Sequence, residues 1–193
     1  MSTKRSLPIS RLACASWSLA AMLAFGGCAA KSFAPVVDKQ DRVVDPRLVG
    51  TWHSDDQQSV VIEERDSDYA IRYTENDGKA GSFDARLGRL GNRWILDLSP
   101  AGSSVATASD AYKALLLPLH TFVIIDAIGA RMEASLVKSD SLEAYLAREP
   151  TAVGHTKVDD GLVLTAPTPE LRAFLERYVN RPGVLDPAVW TRQ

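Results

Sequence analysis

The sequence predicts a mainly β domain of about eight antiparallel strands, which form a small barrel or a strongly curved sheet. Between residues 50 and 98, apolar and polar side chains alternate in short runs, a pattern typical of half-buried antiparallel strands. Turn-forming residues separate these runs, as at Asn76-Asp77-Gly78. No internal repeat of about 20–50 residues is visible, which argues against a solenoid or a propeller. Closure of eight such strands into a barrel would leave no exposed edge.

The predicted elements begin with a short helical turn at Asp45-Pro46, because Asp caps helix starts and Pro suits the first helical position. Gly50 ends that turn. Strands are then expected near residues 50–54, 58–65, 68–75, 81–88, 93–98, 119–126, 130–137 and 158–166. One helix is expected at 140–148, before the last strand, and a second at 168–179, after it. Apolar residues recur at helical spacing in the second helix, which predicts a face packed on the core.

Residues 1–27 have the layout of a secretory signal. Lys4 and Arg5 form a basic start, an apolar run from Leu12 to Phe25 follows, and two glycines precede Cys28. Small residues directly before a cysteine resemble a bacterial lipobox. The resemblance implies that the chain is cut before Cys28, and that diacylglycerol and a further acyl chain such as palmitate anchor it to a membrane.

The residue after the cysteine bears on which membrane is reached. In the lipoprotein family an Asp at that position retains the protein at the inner membrane, whereas this chain has Ala29. The resemblance therefore implies the periplasmic face of the outer membrane, in a host with two membranes.

Cysteine content and local pattern divide the remaining chain. The only other cysteine, Cys14, lies in the signal, so an exported body without thiols needs an apolar core rather than disulfides. Residues 28–44 show no persistent period and are predicted to be the lipidated cysteine and a flexible tether. Residues 45–193 are predicted to form a single β-rich domain.

Charge and motifs exclude several classes of function. After residue 27 the chain carries 19 basic and 24 acidic residues, and such an acidic body is not expected to bind nucleic acid. Phosphate-binding glycine loops, a Gly-x-Ser-x-Gly elbow and histidine pairs at metal-binding spacing are missing from the sequence. No catalytic residue, metal or cofactor is therefore expected. The enzyme alternative is an unrecognised site near His53, Asp55 and Asp56.

The segment Gly50-Thr51-Trp52 resembles the Gly-x-Trp start of lipocalins and the wider calycins. The resemblance implies that Trp52 plugs the closed end of an eight-stranded barrel and that a helix follows the last strand. Aromatic residues on the predicted strands form a candidate ligand site; they are Trp52, Tyr69, Tyr73, Phe83 and Trp94. The alternative is that they only fill the core, because eight strands enclose room for side chains or for one small ligand.

The functional hypothesis is a membrane-anchored envelope lipoprotein that binds an apolar ligand or a periplasmic protein partner. The alternatives are an enzyme and a structural accessory, and the lining of any cavity would distinguish the three. The loop Ser99–Ser109 consists mainly of small residues and is expected to be mobile. It is predicted to border the cavity or partner surface, together with Tyr112 and residues 115–117, unless it is only a tolerated insertion.

Overall fold

Eight antiparallel strands close into a barrel, which confirms the predicted fold class. The computed structural model describes residues 29–102, 109, 116–159 and 161–193. In chain order its strands are β1 (Lys31–Ser32), β2 (Gly50–Ser54), β3 (Ser59–Arg65), β4 (Asp68–Thr74), β5 (Ala80–Leu90), β6 (Arg93–Pro100), β7 (His120–Ile128), β8 (Arg131–Val137), β9 (His155–Val158), β10 (Gly161–Leu164) and β11 (Leu185–Arg192). The barrel runs through β2 to β8 in sequence, and β11 joins β8 back to β2.

The eighth barrel strand is not the one that the sequence predicts. The segment 158–166 contributes instead to the β9–β10 hairpin, which lies outside the barrel, and β11 completes the wall. Pro187 conceals this strand in the sequence, because proline lacks an N–H and is unusual inside a sheet. β11 pairs with β2 only from Trp190 to Arg192, so among the described residues Pro187 lies where one side of the strand has no partner strand. Both helices therefore precede the last barrel strand.

A second apolar core lies between the outer wall of the barrel and two helices, α1 (Ser139–Leu146) and α2 (Thr168–Tyr178). Proline at the start of α2 and Glu170 in its first turn fit the predicted helix start. The predicted apolar face of α2 is confirmed by four buried residues: Leu171, Phe174, Leu175 and Tyr178. They pack with Phe122 and Ile124, which the barrel presents on its outer side.

The tether prediction is wrong for residues 29–44, because this segment packs on the barrel. Val36 and Val37 are fully buried in the second core. Their amides donate to Oδ2 of Asp97 at 2.6 and 3.1 Å, and the Arg172 guanidinium donates to the Val36 carbonyl at 2.9 Å. Side chains that are distant in sequence thus supply hydrogen-bond partners to the backbone of this irregular segment. Such a segment has no periodic pattern of apolar residues from which its structure could be predicted.

Trp52 is buried near the start of β2, at the barrel end opposite the one where β8 finishes, which confirms its predicted burial at one end of the barrel. Its side chain is fully buried, and its indole N–H donates to the carbonyl of Leu48, in the 3₁₀ turn Pro46–Leu48, at 2.9 Å. The Arg192 guanidinium lies 4.3 Å from the centre of the indole ring. Gly50 is needed beside this stack, because its φ is +141° and a Cβ there would come within 2.9 Å of Arg192 Nη1.

Candidate functional site

The barrel contains an apolar cavity that extends to the end where β8 finishes and β11 begins, and it is partly open to solvent. It offers about 80 Å³ to the centres of water-sized molecules. One water needs only about 10–15 Å³, so the cavity exceeds a packing defect. Its lining is Val60, Ile62, Ile71, Tyr73, Phe83, Leu96, Leu98, Val123, Ile125, Met132, Ala134, Ser135, Leu136, Asp186, Ala188 and Trp190.

The structure divides the five aromatic residues of the predicted ligand site into two groups. Tyr73 and Phe83 line the cavity. Trp52, Tyr69 and Trp94 belong to the same barrel core but are not among the described residues that line the cavity. Alternation identifies the side of a strand that a residue faces, but depth along the barrel axis depends on strand register and tilt.

Tyr69 and Trp94 have partners that explain their structural role. The Tyr69 hydroxyl accepts a hydrogen bond from the Asp45 amide at 2.7 Å and donates to the Asp45 carbonyl at 3.2 Å. This contact ties β4 to the segment that leads into β2. The Arg89 guanidinium covers the Trp94 ring at 3.3 Å from its centre. Both aromatic residues therefore hold the barrel wall together.

Trp190 lines the cavity and is absent from the predicted site. It is 7% exposed and pairs with Met132 of β8 across the sheet. Ala188 and Trp190 share one face of β11, but Val189 between them is also apolar, so no alternation marks that face. The signal that could have found the strand is the run Val189-Trp190-Thr191, whose residue types are common in strands. Pro187 precedes this short run, and proline is unusual inside a strand because it lacks an N–H.

The cavity wall carries almost no charge. Burial, reinforced by the negative charge of Glu75, raises the pKa of Tyr73 to about 12, so its phenol remains neutral at physiological pH. Among the described residues that line the cavity, Asp186 alone has a carboxyl group. The arrangement can therefore bind an apolar molecule by burial, and Asp186 is the acidic residue among the described residues that line it.

A buried Asp–His pair on the outer face of the barrel is a second polar feature. Asp97 of β6 is 3% exposed, and its Oδ1 lies 2.6 Å from Nδ1 of His120, at the start of β7. Ser99 and Arg86 border the small pocket beside this pair. An aspartate that orients an imidazole is also found in acid–base sites. Here the other carboxylate oxygen accepts hydrogen bonds from the amides of residues 36 and 37. Asp97 therefore connects the N-terminal segment to the barrel.

The alternative site at His53, Asp55 and Asp56 lies on the surface. All three residues are exposed, and the two aspartates occupy the turn between β2 and β3. His53 Nε2 lies 3.2 Å from Oε1 of Gln193. Within the part of the chain that the structure describes, no group of three or more His, Cys, Asp or Glu residues could hold a metal ion. An enzymatic role near His53 stays a prediction.

Two of the predictions concern residues that the structure does not describe. Cys28 is one of them, and so are Tyr112, Leu115 and most of the loop Ser99–Ser109. Of the apolar segment that follows the loop, Leu117 is 74% exposed. The predicted border between the loop and the cavity thus lies outside the described residues.

Comparison with known proteins identifies no relative from which a function could be proposed, so the proposal below is based on the cavity. In the described ranges, no helix is long and apolar enough to span a bilayer. The chain matches no family model, no curated protein and no solved structure.

Proposed function

We propose that this chain is a cell-envelope lipoprotein whose barrel binds a small apolar ligand. The observation that carries the proposal is the apolar, partly open cavity inside the barrel. Transfer of a ligand from water into such a cavity is favourable by about 0.8 kcal/mol for each buried methylene. Burial of Trp52 under Arg192 at the closed end supports a lipocalin-like assignment.

The position of the N-terminal segment supports a link between the anchor and the cavity. Ala29 forms a β-bridge with Lys138, directly after the end of β8. Leu136, two residues earlier on β8, lines the cavity. Acyl chains on Cys28 would therefore hold this end of the barrel close to the membrane. The ligand that fits this placement is an amphiphile exchanged with the bilayer.

Filling the cavity should abolish ligand binding. Ala188 lines the cavity opposite Ala134, so Ala188→Phe places a ring in the space proposed for the ligand. We expect isothermal titration calorimetry to show that the wild-type protein binds 1-octanol and that Ala188→Phe binds it at least tenfold more weakly. Ala70→Phe, on the outer side of β4, is the matched control and should bind as the wild type does. Failure of the wild type to bind, or unchanged binding by Ala188→Phe, would contradict the proposed function.

Removal of the anchoring cysteine should release the protein from the membrane. Two or three acyl chains give stable anchoring, whereas a single chain binds only marginally. We expect Cys28→Ala to move the protein to the soluble fraction and to abolish labelling by an alkyne fatty acid. Cys14→Ala, inside the signal, is the control and should keep both properties. A mature N-terminus that is unmodified and starts at another residue would exclude lipidation.

A further inference from the structure

Asp186 is the one acidic residue among the described residues that line the cavity. The residue is partly buried and is among those that line a wall that is otherwise almost entirely apolar. Among the described residues, none donates a hydrogen bond to its carboxylate or forms an ion pair with it. A carboxylate beside apolar surface loses solvation unless a donor or a cation compensates it. A group on the ligand could supply that compensation.

A second hydrogen-bond acceptor without a partner lies near the same side of the barrel. Gln58 is only 4% exposed, and its Oε1 has no hydrogen-bond donor among the residues that the structure describes. It follows the β2–β3 turn, two residues before Val60, which lines the cavity. A buried acceptor without a partner requires an explanation, such as a bound water or ligand.

One side of β11 has no described partner strand in this part of the wall. β2 pairs with β11 only as far as Trp190, so residues 185–189 of β11 have no partner strand on that side within the described part of the chain. Asp186 lies within this unpaired stretch. A head group bound at Asp186 would therefore have access to solvent while an attached chain extends into the cavity.

We propose that the barrel selects amphiphiles that carry a protonated amine, and that Asp186 binds the ammonium group. This inference rests on the proposed function. An ammonium matches the arrangement because it is both a cation and a hydrogen-bond donor, and charge-assisted hydrogen bonds are roughly twice as strong as neutral ones. A hydroxyl group supplies only the donor. A carboxylate would meet the like charge of Asp186.

The test compares three ligands with the same eight-carbon chain at pH 7: octylamine, 1-octanol and octanoate. Isothermal titration calorimetry on the purified protein should give octylamine at least a tenfold lower Kd than 1-octanol, with octanoate binding most weakly. In Asp186→Asn, which keeps the size of the side chain, the preference for the amine should fall to threefold or less. Binding of 1-octanol should stay within twofold of the wild type.

Asp66→Asn is the matched control. It removes the same charge from the exposed turn between β3 and β4, so it corrects for any effect of net charge on binding of a cation. It should retain the full preference for octylamine. Equal binding of octylamine and 1-octanol by the wild type, or an undiminished preference in Asp186→Asn, would overturn the assignment of Asp186. Failure of all three ligands to bind the wild type would overturn the proposed function itself.

Discussion

Trp52→Ala is expected to lower the free energy of unfolding by about 3–5 kcal/mol, as truncation of large buried aromatic residues does. The indole is fully buried and contributes to the closed end of the barrel core. The truncation also leaves the Leu48 carbonyl without its 2.9 Å hydrogen bond and removes the ring beneath the Arg192 guanidinium. Urea denaturation followed by circular dichroism measures the loss.

Trp94→Ala is the comparison for this prediction. Trp94 also packs on the barrel core, but it is only partly buried, and Arg89 rather than protein interior covers its outer face. The same truncation should therefore cost less stability at Trp94 than at Trp52. If the two variants lost the same free energy of unfolding, Trp52 would have no special role at the closed end.

Asp97→Ala should lower the free energy of unfolding by about 2–6 kcal/mol, because it leaves the two buried amides that its carboxylate accepts from without a partner. The carboxylate accepts from the amides of Val36 and Val37 and contacts His120. Without Asp97, these donors lose their acceptor in the interior, and each unsatisfied group costs about 1–3 kcal/mol. Urea denaturation measures the total effect.

Hydrogen exchange can assign this loss to the N-terminal segment. In Asp97→Ala, the amides of Val36 and Val37 should exchange much faster than the amides of β4, which lies two strands away from Asp97 in the barrel wall. Asp84→Ala is the control on the same outer face, where Asp84 forms an exposed ion pair with Arg65 worth about 0–1 kcal/mol. Unchanged exchange at Val36 and Val37 in Asp97→Ala would show that Asp97 does not hold the segment.

The hydrogen bonds from residues 36 and 37 to Asp97 change the distance expected between the domain and the membrane. Residues 29–44 were predicted to hold the domain at a distance, but Val36 and Val37 are fully buried and bound to Asp97. Because the segment is packed on the barrel, it does not act as a flexible spacer. If Cys28 is acylated, the end of the barrel beside Lys138 is held at the bilayer surface.

Local pattern was sufficient for the parts of the fold in which neighbours along the chain determine the structure. The alternation around Tyr69, Ile71 and Tyr73 predicted β4, because the inner side of a barrel is apolar and the outer side is solvated. The cap at Asp45 and the proline after it predicted the turn before Trp52. The burial of Trp52 itself was predicted through the resemblance of Gly50-Thr51-Trp52 to calycins.

The sequence by itself determined a mainly β domain of antiparallel strands, its signal-like start and the aromatic residues available to its core. It left a small barrel and a strongly curved sheet as alternatives. Only the tertiary structure decided that β11 completes the barrel, that residues 29–44 pack on its wall, and that Asp186 and Trp190 line a cavity. These features depend on contacts between residues far apart in the chain. Local propensity does not report such contacts. Pro187 pairs with Ser135 of β8, and the Val36 amide donates to Asp97, so both are stabilised by residues distant in the sequence.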